Sequence, residues 1–332
     1  MSFLKKLLIL IYAVKGFTKN KSKNYEGAIE DLNKALDLDP NLATVYNNRG
    51  LAKYDLHDYE GAIEDYSKAL DIDPNYTEAY NNRGLAKSAL QDYEGGIEDY
   101  NKAIELDPNY AKAYYNKGVF KDALQDYKGA IEDYNKALDI DPNYVDAYNN
   151  RGIAKGELQD YEGAIEDYNK AIELDPNYTK AYINRGVAKK KLKDYEGAIE
   201  DYNKVIELDP NDIYAYNNKG LAKNELQDYE GAIEDYNKAI DIDPNYINTY
   251  NNRGLAKSVL QDYEGAIEDY NKVLELDPNY AKAYNNRGIV KGELQDFERA
   301  IEDFNKALDI DPNYTAAYNN RELALQKLNE QN

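Results

Sequence analysis

The sequence predicts an all-α protein, an α-solenoid of antiparallel helix pairs, on three observations. All nine prolines are spaced 34 residues apart, from Pro40 to Pro312, each inside an Asp-Pro-Asn triplet. Apolar residues between them recur at helical spacing. Nothing lies outside this register that is large enough to form a second domain, so a division by length into average globular domains does not apply.

With proline counted as repeat position 32, residues 43–314 hold eight complete units. Residues 1–42 read as a degenerate N-terminal repeat or cap, and 315–332 as a C-terminal capping helix; together they make one continuous solenoid domain. In the unit 43–76, Tyr59, Ala62, Ile63, Tyr66, Ala69 and Leu70 fall at i, i+3, i+4, i+7, i+10 and i+11. That is one face of an amphipathic helix. Asp58 suits its N-cap, and Glu60 suits the positive end of its dipole. Pro74 stops it, because proline lacks the N–H and clashes with the preceding turn. Asn75 then reads as the cap of the next helix. The helix before it, roughly 43–56, turns Tyr46, Gly50 and Leu56 toward its partner, with Gly50 and Ala62 allowing close approach. A second glycine, Gly61 and its equivalents, has no packing role that the sequence reveals.

Composition excludes several chemistries. The chain has no cysteine and one histidine, His57, which occupies the inter-helix turn where other repeats carry Gln91, Gln125 or Gln159. Thiolate and imidazole sites are therefore not expected, and no catalytic constellation or cofactor is predicted. A formal charge of −21 argues against nucleic acid as a partner. Asp71-Ile72-Asp73-Pro74-Asn75 imitates the start of a calcium loop, but Tyr76 and Asn82 replace the residues the loop requires.

The pattern Tyr46, Gly50, Leu56, Ala62, Tyr66, Ala69 and Pro74 resembles the tetratricopeptide repeat family. The resemblance implies a right-handed superhelix whose first helices line a concave groove, with positions 2, 5, 6, 9, 12 and 13 facing into it. Position 6 is asparagine in nine successive first helices: Asn48, Asn82, Asn116, Asn150, Asn184, Asn218, Asn252, Asn286 and Asn320. Position 5 is also asparagine in most units, with Tyr115 and Ile183 as exceptions. Position 9 is aliphatic, as at Leu51, Leu85, Ile153, Leu221, Leu255 and Ile289. A row of carboxamides offers donors and acceptors to the backbone of an extended peptide. The superhelix of O-linked N-acetylglucosamine transferase carries a similar ladder that holds extended protein substrates. Lys180, Lys190 and Lys191 make the groove basic near residues 179–193. The family's two-carboxylate clamp, which needs Lys at 5 and Asn at 9, is not present.

Two departures from the family are basic: Arg49 at position 7 and Lys53 at position 11, on a packing face. Aspartates at position 23, from Asp65 to Asp303, are the expected partners. Because Arg321 persists without a second helix of its own, each arginine is expected to pair with the aspartate of the preceding repeat, Arg321 with Asp303.

The expected role is a non-catalytic protein-interaction scaffold that holds a protein or extended peptide, in the cytoplasm. Residues 1–23 carry six lysines and no acid, around the apolar run Leu7–Val14. Tyr12 and Gly16 keep the repeat register, so this stretch reads as a first helix. Its apolar outer side leaves open end-to-end self-association or an adaptor role in a larger assembly. A membrane contact, or export through residues 1–16, is the alternative location.

Overall fold

A computed structural model describes residues 2–331, so the terminal Met1 and Asn332, which belong to the predicted caps, lie outside the described residues. All the regular elements described are α-helices, beginning with α1 (Phe3–Lys21), α2 (Tyr25–Leu38), α3 (Ala43–Asp55) and α4 (Tyr59–Ile72). The alternation of a 13-residue first helix and a 14-residue second helix recurs to α17 (Ala281–Glu293) and α18 (Phe297–Ile310), and α19 (Thr315–Gln331) follows. The chain divides into two compact units, Met1–Leu174 and Asp175–Asn332.

Within each unit, a first helix packs on the second helix that follows it, and that helix packs on the next first helix. First helices of successive repeats touch one another inside a unit, while among the described residues no second helix touches the next second helix. The first helices therefore lie on the inner side of the stack within each unit.

Local chemistry explains the joints. Asp58 caps α4 by accepting from the Gly61 N–H at 3.0 Å. The unexplained glycine has its reason here, since a Cβ at Gly61 would meet the Asp58 carboxylate. Where Arg299 replaces it, the equivalent bond to Asp296 lengthens to 3.3 Å. Gly50 faces an aromatic ring rather than a bare backbone, because an added Cβ would stand 2.7 Å from Tyr66 Cε1.

First helices end in a Schellman closure. The His57 N–H donates to Tyr54 O and the Asp58 N–H to Lys53 O, with His57 at φ 63°. Lys23, Lys193 and six glutamines hold the same left-handed turn in the other repeats. Asn75 does not cap α5 (Thr77–Ala89), contrary to the expectation from its residue type. Its backbone N–H donates to Asp73 Oδ1 at 3.0 Å, closing an Asx turn through the proline, and Tyr76 occupies the cap position without a side-chain bond. Helix α13 (Ile213–Glu225) differs, because Asp212 stands there and accepts from the Ala215 N–H at 2.7 Å.

Candidate functional site: the first-helix face

Beneath the face lies an ion seam. Arg49 donates from Nε and one terminal nitrogen to both oxygens of Asp65, at 2.8 and 2.6 Å, and Lys53 reaches the same carboxylate at 2.9 Å. The Asp65 side chain is 1% exposed, so its charge depends on these cations. Arg49 also stacks over the Tyr46 ring at 5.3 Å, and its remaining nitrogen donates to Asn33 of the preceding repeat at 2.6 Å.

Each arginine therefore takes the aspartate of its own repeat, 16 residues ahead, and not that of the preceding one. Asp303 is held by Arg287 and Lys291, at 2.6 and 2.7 Å. Among the described residues no second helix follows α19, which carries Arg321. Arg321 bonds Asn305 and Glu322, and its Nε is buried without a partner. The expected pair Arg321 and Asp303 does not form, because the Asp303 carboxylate is already taken by the arginine and lysine of its own repeat.

The asparagines form a chain of amides between repeats. Asn82 donates to Asn47 at 3.1 Å, Asn116 to Asn81 at 2.8 Å, Asn252 to Asn217 at 3.1 Å, Asn286 to Asn251 at 3.2 Å and Asn320 to Asn285 at 3.0 Å. Position 6 thus spends a donor on position 5 of the preceding unit. Asn150 does the same with the Tyr115 hydroxyl, at 3.0 Å. Asn82 is only 2% exposed, which leaves it little to offer a ligand. Asn48 and Asn218 are different: 35 residues before them stand Ala13 and Ile183, which supply no side-chain acceptor. Asn184 sits half-buried in α11 (Thr179–Lys191).

The aliphatic row lies open beside the amides. Leu255, Ile289 and Leu323 are exposed, and Leu51, Leu85, Ile153 and Leu221 are half-buried. The lysine cluster is only partly available. Lys180 and Lys191 are exposed, and burial pushes the Lys190 amine down from its ordinary pKa, with Glu225 opposing that shift. Lys189 is spent on Asp201 at 2.9 Å and on the Gly197 carbonyl.

Position 12 decides what fills the space between the amide chain and the aromatic at position 24. Asn224 donates to the Tyr236 hydroxyl at 2.8 Å, and Ser88 lies 3.4 Å from that of Tyr100. Asp122 stands there in α7 (Ala111–Ala123), where Asp122 Oδ1 and the Tyr134 hydroxyl are both buried without a hydrogen bond. Burial, with Glu157 adding repulsion, pushes the Asp122 carboxyl up to about 6. Sequence reading passed over Asp122; the signal was an acid at a position filled by neutral residues in neighbouring repeats.

At Gly292 the space is empty. A Cβ there would meet nothing within 4 Å, and the aromatic below is Phe304, which needs no polar partner. The result is a cleft of about 440 Å³ lined by Ile289, Phe297, Phe304, Asn320 and Leu323, with Glu293 and Lys327 also at its wall. Two of the predicted rows meet in it, since Ile289 and Leu323 come from position 9 and Asn320 from position 6.

This arrangement defines a helical-repeat protein with an uncovered first-helix face. Family models for the TPR repeat match residues 19–57, 123–159, 220–258 and 260–295. Tetratricopeptide repeat models match 43–76, 77–110, 145–178, 179–212 and 281–314, and also 99–132 and 201–234. The chain belongs to the tetratricopeptide repeat family. No curated protein matches its sequence.

Solved structures share the fold at low identity. A tetratricopeptide repeat protein from Parabacteroides merdae is 22% identical with a TM-score of 0.59, over 75% of this chain and 98% of its own. The Cut9–Hcn1 structure of the APC/C is 17% identical with a TM-score of 0.55, over 95% and 83%. Yeast Tom70 is 17% identical with a TM-score of 0.51, over 98% and 97%. Among the described residues, no helix is long and apolar enough to cross a membrane.

Proposed function

We propose that this chain is a protein-interaction scaffold that holds an extended peptide segment along its first helices, with a bulky apolar side chain of the partner seated in the cleft at Gly292. The cleft carries this reading. It is concave and apolar, and it has polar groups at its wall, as binding pockets have. The exposed aliphatic row leads to it, and Asn48 and Asn218 mark places where an amide is not committed to the preceding repeat.

The reading assigns roles different from a uniform ladder. Most position 6 asparagines align the repeats through amide bonds, and affinity comes from the aliphatic row and the cleft. Lys180 and Lys191 favour acidic side chains of the partner where they stand. No bond-making step is part of the role.

Gly292→Leu tests it, because the new side chain would enter open space and fill the cleft. The protein as expressed in its own cells is captured by an affinity tag, and the co-purifying proteins are compared between the two forms. The expected result is a partner lost from the variant while the melting temperature stays within about 1 °C, since a well-tolerated surface change moves stability little. A partner retained in full by a folded Gly292→Leu protein would contradict the cleft as the site.

A further inference from the structure

We infer that the outer face of α1 docks on an anionic lipid surface, which is a separate claim from the peptide-holding role. Phe3, Leu7, Leu10, Val14 and Phe17 follow one another at spacings of four and three, so they form a stripe along the helix. All five are exposed, Phe3 at 81%, Leu10 at 59% and Val14 at 53%, with Leu4 and Ile11 beside them. The inner face is already used: Gly16 is buried, and Tyr12 and Ala13 pack on the core around α2 and α3.

Charge decides what fits the stripe. At 3.6 residues per turn, Lys6 borders one side of it and Lys15 the other. Lys21 lies at its end over the Phe17 ring, 4.6 Å from the centroid. Lys5 and Lys23 are exposed as well. Of the six lysines of residues 1–23, only Lys19 has an acidic partner among the described residues, Asp31 at 2.7 Å. An apolar strip about 21 Å long, flanked by unpaired lysines, matches a membrane interface, where apolar groups enter the acyl boundary and lysines stay at anionic headgroups. The helix lies along the surface, since it is not apolar enough to cross.

A second copy fits less well. Two α1 faces in contact would bring unpaired lysines together. The other exposed end helix, α19, offers no net charge to attract them, because Arg321 pairs with Glu322 and Lys327 with Glu330.

The full-length protein is tested by co-sedimentation with vesicles of phosphatidylcholine alone or mixed with phosphatidylglycerol, across a salt series, beside light scattering without lipid. Binding is expected only with phosphatidylglycerol, and it weakens as salt screens the charges. Changing Lys6, Lys15 and Lys21 to Gln should weaken it roughly 100-fold, each lysine contributing about a fivefold effect. Leu10→Glu with Val14→Glu should abolish it without changing the melting curve, because both side chains point away from the fold. Equal binding to neutral vesicles, or binding unaffected by the glutamates, overturns the inference. Absence of vesicle binding also overturns it, and an oligomer that the glutamates disperse would then assign the face to a second copy.

Discussion

At the residue scale, the repeat is informative because each position has up to ten copies in different company. Asp122 is the clearest case. Its carboxyl is raised to about 6 by burial, and its Oδ1 and the hydroxyl of Tyr134, on the helix that follows, are both buried without a hydrogen bond. The sign of the effect follows from the raised value. Below about pH 4 the carboxyl is protonated folded or unfolded, and it costs nothing. Between pH 4 and 6 the folded form holds a proton that the unfolded form has released, so stability falls as pH rises, and above 6 the penalty is complete. Asp122→Asn reproduces the Asn224 and Tyr236 pair found in a later repeat. It should stabilise the protein at pH 7.5 by about 1–2 kcal/mol, the cost of a buried hydrogen bond left unmade. Thermal melts at pH 7.5 and 3.5 check it; the gain should shrink toward zero at the lower pH. The acid among neutral neighbours was visible in the sequence, but its burial was not, because aspartate at a variable position reads as solvated.

At the scale of elements, helix pairing is fixed by the buried aspartate at position 23. Asp269 receives Arg253 at 2.5 Å and Lys257 at 3.0 Å. Removing it leaves two cations half-buried with no counter-charge, so Asp269→Ala should cost about 3–5 kcal/mol in chemical denaturation. Arg321 has no such aspartate, and Arg321→Ala should cost less than about 1 kcal/mol. Equal losses would mean that the seam is not what joins the helices. The existence of this seam was legible, because Arg49 and Lys53 stand where the family has apolar residues. Its direction was not: Arg321 suggested the preceding repeat, while the rotamer carries each guanidinium forward. Helix boundaries were legible from Asp58 and Pro74. The left-handed closures at His57 and the glutamines were hidden, since those residue types do not announce a positive φ.

At the scale of the whole molecule, repetition made the fold plain and the ligand obscure. Thirty-four-residue spacing identifies the family from sequence alone, yet the asparagines that look like a binding ladder mostly bond each other across repeats. A copied residue is selected for stacking as readily as for binding. The informative positions are those that break the copy, among them Gly292, Ala13, Ile183 and the lysines of α1. Their effects depend on neighbours a full repeat away, which a linear reading does not weigh. The central claim is that the partner lies on the first-helix face. Photo-crosslinking in cells tests this most directly, with benzoylphenylalanine placed at exposed Leu255 on that face, and in a second protein at exposed Lys306 on a second helix. The account predicts a discrete adduct from position 255 and none from 306. Adducts from 306 alone would contradict it.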